Sequence, residues 1–369
     1  MKKLSTLFLM FLILLTACDT ATVTPQPPLK PGSATETPVP LLEVISIPVG
    51  YGSSGGWYEL YFTDPQNPLA SQRTGGIDMP LVQAIDSARL SVDVAIYSLS
   101  LNSIRDALIR AHERGVQVRM VMESDNMDRT DPQRLKEAGI PILGDRREGL
   151  MHNKFVIIDK SEVWVGGMNY TDSGAYTDNN MMMRIRSVKM TENFIKEFEE
   201  MYVDDRFGDD IVTETPHPRL TIDGTEVEVY FSPDDGVQSR FVELVNAAEH
   251  SIYFMAFSFT ADPIGQAVRE RAAVGVTVAG VMDNEQINSN IGTEFDPFQQ
   301  AGLDVYRDGI DGQMHHKIMI IDGETVIIGS YNFTNSAETR NDENLLIIHS
   351  QQVAAQFMVE FQRVYGLSQ

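Results

Sequence analysis

The sequence predicts an α/β fold made of two repeated halves, each a mixed sheet covered by helices, packed together as an internal pseudo-dimer. Three observations predict it. The chain matches itself at a fixed offset, β-branched runs alternate with helical stretches in both halves, and the linker between the halves is short. SVDVAIYS (Ser91–Ser98) aligns with SIYFMAFS (Ser251–Ser258), and each is followed by a helical stretch closing at Gly115 or Gly275. The β-branched runs VQVRMVM and VTVAGVM come next, and AGI at Ala138–Ile140 aligns with AGL at Ala301–Leu303. From Met151–Ser173 against Met314–Ser336, 11 of 23 positions are identical. Composition alone would give about one or two.

Each half therefore reads strand–helix–strand, then strand–turn–strand, then a closing helix. Phe194, Phe198 and Tyr202 match Phe357, Phe361 and Tyr365 at four-residue spacing, one face of an amphipathic helix that should pack into the core. The linker around Arg206–Gly224 is polar, acidic and marked by Pro216 and Pro218. Its shortness favours halves that pack on each other. The expected divisions are 1–17, 18–40, a first repeat at 41–206, a linker at 207–223 and a second repeat at 224–369.

The N-terminus carries a different signal. Lys2 and Lys3 precede the apolar run Leu7–Leu15, too short to span a bilayer, and LTAC follows. That string resembles a bacterial lipobox, with Cys18 as the lipidated first mature residue and residues 1–17 as the export signal. Cys18 is the sole cysteine, so it forms no internal disulfide, and acylation accounts for it. Residues 19–40 are rich in Pro, Thr and Ser and read as an extended tether. The expectation is an exported lipoprotein held at the cell membrane, facing outside the cytoplasm. Gly50–Gly56 (GYGSSGG) lacks the Lys-Ser/Thr ending of a P-loop and reads as a flexible lead-in.

Against 29 basic residues stand 52 acidic ones, a net charge of -23. That balance opposes non-specific binding of a long polyanion, whose affinity comes from Lys and Arg displacing counterions. Phosphate chemistry, if present, must be confined to a site. One pattern supplies such a site twice. His152-Asn153-Lys154 is followed after four residues by Asp159, and after six more by Gly166-Gly167-Met168-Asn169. His315-His316-Lys317, Asp322 and Gly329-Ser330-Tyr331-Asn332 repeat the spacing. FVIID and IMIID read as buried strands. In a strand residues i and i+2 share a face, so each His projects with its Lys. Adjacent residues face opposite ways, so His315 and His316 do not make a metal pair. Asp159 and Asp322 lie an odd number of residues from the lysines, which favours a structural role.

These residues resemble the HxKxxxxD motif of the phospholipase D superfamily with its following G-G/S-x-N element, and the resemblance covers nearly all of residues 56–369. It implies one active site built from both repeats. His152 or His315 attacks phosphorus to give a phosphohistidine, and the other His protonates the leaving alcohol. Lys154 and Lys317 neutralise the phosphate, and Asn169 and Asn332 donate to its oxygens. No metal or cofactor is implied. Relatives keep a carboxylate that bonds the His where Glu343 stands, whereas the first half has Asp178-Asn179-Asn180 there. The expectation is that Glu343 holds His315 as the acid and leaves His152 as the nucleophile, unless Asp172 or Asp178 folds back to restore the symmetry. The implied substrate is a phospholipid at a membrane surface, hydrolysed or transferred by a monomer. The alternatives are a metal-independent nuclease on DNA or RNA, and a non-catalytic surface scaffold.

Overall fold

The computed structural model describes residues 43–210 and 212–369. The expected export signal, Cys18 and the tether lie outside the described residues.

The first sheet contains β1 (Glu43–Ile45), β2 (Tyr51–Ser54), β3 (Tyr58–Phe62), β4 (Ser91–Ile96), β5 (Gln117–Met122), β6 (Ile142–Gly144), β7 (Lys154–Ile158), β8 (Glu162–Gly166) and β9 (Met181–Ile185). Their order is β1-β2-β3-β9-β8-β7-β4-β5-β6. The second contains β10 (Arg219–Ile222), β11 (Thr225–Ser232), β12 (Ser251–Ala256), β13 (Thr277–Met282), β14 (Asp304–Arg307), β15 (Lys317–Ile321), β16 (Thr325–Gly329) and β17 (Glu343–His349). Its order is β10-β11-β17-β16-β15-β12-β13-β14. In each sheet three strands run parallel, β4-β5-β6 and β12-β13-β14, and the other neighbours are antiparallel. The sheets are thus mixed and repeat one topology, the α/β architecture the sequence predicts.

Helices cover both faces of each sheet. On the outer faces, Asp78–Ser87 and Asn102–Glu113 pack in the first half, and Val237–Ala247 and Asp262–Ala273 in the second. The helices Val188–Tyr202 and Gln351–Leu367 face inward, and their phenylalanines join one hydrophobic cluster drawn from both halves. The Phe194 ring meets Phe231 at 5.2 Å, and Phe62 meets Phe357 at 5.3 Å, each contact crossing between the halves. Burial of such rings supplies about 25 cal/mol per Å² of apolar area removed from water, so this shared core makes the two halves one unit.

Two readings need revision. Gly50–Gly56 is not a flexible lead-in, because β2 and its turn occupy most of it and pair antiparallel with β3. A Cβ at Gly52 would lie 2.8 Å from the Tyr61 ring, so the glycine permits close pairing rather than mobility. Asp159 and Asp322 sit just past the ends of β7 and β15 at φ 51° and 54°, so their direction is not set by strand alternation. Asp159 accepts the backbone N–H groups of Arg89, Leu90 and Ser91, and Asp322 those of Glu249, His250 and Ser251. Each carboxylate thereby ties its own strand to the start of β4 or β12, which aligns the site-bearing strands.

Candidate functional site

The segments leading into β7 and β15 bring the two motifs together by pairing with the opposite half. Met151 bridges Asp342, and Asn179 bridges Met314. The His152 N–H donates to Asp342 O at 3.0 Å, and the His315 N–H donates to Asn179 O at 3.0 Å. Each segment is also anchored in its own half: Glu123 accepts the Met151 N–H and Asp283 the Met314 N–H. A half lacking its partner would leave these buried backbone groups unpaired. The two HxK motifs are thereby held face to face.

His152, Lys154, His315 and Lys317 are all buried. Lys154 Nζ donates to His152 O at 2.7 Å and Lys317 Nζ to His315 O at 2.9 Å, so each motif fixes its own lysine beside its own histidine. The His152 ring lies 5.3 Å from Tyr97, and the His315 ring 4.6 Å from Phe257. Lys154 and Lys317 sit over the same two rings, at 5.4 and 4.6 Å. Sequence reasoning did not assign Tyr97 and Phe257 to the site, although they occupy equivalent positions in the aligned strands IYS and AFS. Asn169 and Asn332 lie partly buried on the loops after β8 and β16, and neither side chain has a hydrogen-bond partner among the described residues. The loop of Asn169 reaches the other half: a Cβ at Gly167 would lie 3.3 Å from His315 O.

The partner of each histidine differs from expectation. Glu343 bonds His152, not His315, with Nδ1 to Oε2 at 2.7 Å. His315 Nδ1 faces Asn180 Oδ1 at 3.0 Å. The cause is register: Asp342 pairs its backbone with His152, so the next residue, Glu343, falls beside that ring. Asn179 pairs with the residues around Met314, which puts Asn180 beside His315. Neither aspartate restores a carboxylate there. Asp172 pairs with Arg73, and Asp178 accepts the Gln313 N–H. With acceptors at both Nδ1 atoms, the Nδ1–H tautomer follows, and each Nε2 keeps its lone pair. His316 turns the opposite way from His315 and bonds Glu360 at 2.6 Å, as Asn153 bonds Glu197 at 2.9 Å.

Burial and mutual repulsion set the electrostatics. His152 is pushed down to about 4 by burial, against the pull of Glu343 and with the push of Lys154 and Lys317. Burial, then the two lysines, drives His315 well below its ordinary value. Lys154 falls to about 7 through burial, with Glu343 opposing, and Lys317 falls well down through burial and the charge of Lys154. Four basic groups gathered in a desolvated space make a receptor for an oxyanion, which relieves both costs.

The comparisons with known proteins agree in kind. Residues 81–202 and 241–365 match the family model described as cardiolipin synthase, PLD-like domain. A mitochondrial cardiolipin hydrolase of Chlamydomonas reinhardtii is 34% identical over 129 residues, covering 35% of this chain and 57% of the relative. A phospholipase D of Rickettsia typhi is 34% identical over 132 residues, 36% of this chain and 64% of the relative. The chain thus spans less than two thirds of the length of these relatives. Among solved structures, phosphatidylserine synthase of Haemophilus influenzae Rd KW20 is similar with a TM-score of 0.58 and 12% identity, over 77% of this chain and 83% of that one. Polyphosphate kinase of Porphyromonas gingivalis gives a TM-score of 0.57 and 12% identity, over 83% of this chain and 50% of that one. At such identity these two structures bear on the fold alone.

The depressed basic groups have a signed consequence. His152 ordinarily titrates at 6.5 and here at about 4, so between those values the unfolded chain binds more protons and the native protein loses stability as pH falls. An oxyanion reverses the shifts, so its binding takes up protons. Tungstate affinity, measured by calorimetry, should weaken between pH 6 and pH 9, by about tenfold per pH unit for each proton taken up. An affinity that stays flat with pH would contradict this electrostatic account.

Proposed function

The chain belongs to the PLD-like domain family, and on that premise we propose that it is a phosphodiesterase that hydrolyses or transfers phospholipid headgroups through a phosphohistidine. The observation that carries the proposal is the pair of buried histidines, each with a lysine at i+2 and a Nδ1 acceptor from the opposite half. A free Nε2 on each side of one oxyanion receptor suits double displacement.

In the first step His152 Nε2 forms a bond to phosphorus while the bond from phosphorus to the headgroup oxygen breaks. His315, whose Nε2 takes up a proton as the phosphodiester anion binds, gives that proton to the departing oxygen. Water, or an acceptor alcohol, then gives its proton back to His315 as its oxygen attacks. The phosphorus–nitrogen bond breaks, and phosphatidate or a new diester leaves. Lys154 and Lys317 balance the charge on the non-bridging oxygens, and the unengaged amides of Asn169 and Asn332 donate to them as charge builds.

The partners assign the roles. Phosphorylation at Nε2 leaves positive charge on the attacking ring, and the Glu343 carboxylate at 2.7 Å from His152 Nδ1 neutralises it. The aspartate of a serine-protease triad stabilises an imidazolium in the same way. An amide at His315 offers no such stabilisation, so a protonated His315 gives up its proton readily, as an acid should. This keeps His152 as nucleophile for a reason opposite to the one the sequence suggested.

The test is turnover by the full chain on dihexanoyl phosphatidylcholine, cardiolipin and single-stranded DNA in excess EDTA. Lipid should be cleaved. His152→Ala and His315→Ala should each lower kcat by roughly four orders of magnitude or more, and the double variant no further, because the residues act as a unit. DNA cleavage without lipid turnover would overturn the substrate class, and additive losses would indicate two separate sites.

The proposal places this chemistry at a membrane surface, where a lipidated Cys18 would hold it. Cys18→Ser should move the protein out of the membrane fraction; retention equal to wild type would contradict the tether.

A further inference from the structure

Because the halves correspond residue by residue, the site is informative wherever that correspondence breaks. One break lies beneath the histidines, on the inner helices. Glu197 and Glu360 are equivalent, and each takes the residue that follows its motif histidine, Asn153 or His316. One turn further on the halves part, because Arg363 of the second helix stands where the first has Glu200. Glu200 turns to the linker and accepts the Val212 N–H at 2.6 Å. Arg363 turns to the opposite half, where its Nη2 donates to Asn179 Oδ1 at 2.7 Å. The position equivalent to Asn179 is Asp342, which takes its cation from Arg147 in the approach segment instead.

Arg363 is itself firmly held. Its Nε and Nη2 each donate to the fully buried Glu360 carboxylate at 2.8 Å, and Tyr51 and His316 complete that carboxylate. Burial would raise Glu360, but His316 and Arg363 outweigh it and hold the carboxyl below its ordinary range. Two neighbours of His315 thus hang on one charged pair. His316 follows it in sequence, and Asn179 O accepts its N–H at 3.0 Å. Asn180, next to Asn179, faces His315 Nδ1 with its amide oxygen at 3.0 Å.

The asymmetry has a physical reason. Glu343 bonds His152 as a carboxylate, and a charge-assisted bond is roughly twice as strong as a neutral one. The Asn180 amide gives the resting His315 only a neutral bond, so the ring's direction depends on how firmly Asn179 and Asn180 are held. We propose that Arg363 is the positioning residue of the acid. Through Asn179 it fixes the Asn180 amide, and with it the line along which His315 Nε2 meets the departing oxygen. Arg147 does the same for the nucleophile through Asp342, whose O accepts the His152 N–H. The inference rests on the proposed phosphodiesterase with His315 as acid.

Leaving groups of different quality separate the positioning of an acid from support of the fold. Single-turnover release of the first product by the full chain is compared for dihexanoyl phosphatidylcholine and the p-nitrophenyl ester of dihexanoyl phosphatidate. Choline needs the proton of His315 to leave, and nitrophenolate does not. Arg363→Met should slow choline release by about a hundredfold, the scale of a misplaced reacting group, and nitrophenolate release by no more than about twofold. Asn179→Ala, which removes the arginine's acceptor and leaves the pair with Glu360 intact, should reproduce that selective loss. Arg147→Met should slow both releases alike, because either ester needs the nucleophile. NMR of histidine-labelled protein reads the geometry without turnover. The His315 Nδ1 proton, assigned by its absence in His315→Ala, should shift in Arg363→Met while that of His152 stays in place. If the wild type cleaves neither ester, the spectra still decide the positioning, and the proposed activity alone fails. Equal losses on both esters, a selective loss in Arg147→Met instead, or an unmoved His315 proton would overturn the role of Arg363.

Discussion

The pairing of each motif's approach segment with the opposite half is the constraint on which the rest depends. His152 hangs its backbone on Asp342 and its ring on Glu343, and His315 does the same with Asn179 and Asn180. Among the described residues, each histidine ring takes its hydrogen-bond partner from the opposite half. The two sheets and the shared phenylalanine core bring the segments together, but these few bonds decide where each Nε2 points. The geometry of the site and the integrity of the pseudo-dimer are therefore one property, not two.

The same constraint explains why an acidic chain can hold a basic site. The net charge of -23 is spread over the whole molecule, while Lys154 and Lys317, 1% and 3% exposed, are locked beside the histidines. Burial makes their charges costly and so raises the gain from a bound oxyanion. A second layer steadies the arrangement: Glu123 and Asp283 hold the segments ahead of each histidine, and Glu197 and Glu360 take Asn153 and His316 toward the inner helices. Through Glu360 the network reaches Arg363, which donates to Asn179 and so returns to the segment beside His315.

Much of this was legible in the sequence because it is local or repeated. The duplication shows in aligned residues, the shared facing of His152 with Lys154 follows from strand period, and the inner helices announce themselves through Phe194, Phe198, Phe357 and Phe361. What the sequence hid are relations across the halves. Glu343 lies 28 residues from His315 and 191 from His152, yet it bonds the distant one, because register between two chain segments outweighs proximity in sequence. The glycines before β3 read as flexible because composition does not reveal that Gly52 abuts Tyr61. Strand alternation does not set the direction of Asp159 and Asp322, because a left-handed turn just past each strand aims them at the backbone of the neighbouring strand. Tyr97 and Phe257 were visible in the alignment, but only the ring contacts with the histidines and lysines make them part of the site.

The central claim is that one phosphate is handled by two histidines with different partners, His152 backed by Glu343 and His315 by Asn180. Trapping the covalent intermediate tests it most directly. A reaction of the full chain with a slow phosphodiester, quenched without acid and digested, can be read by mass spectrometry for the modified histidine. The account predicts a single adduct on His152. An adduct on His315, or equal labelling of both, would contradict it.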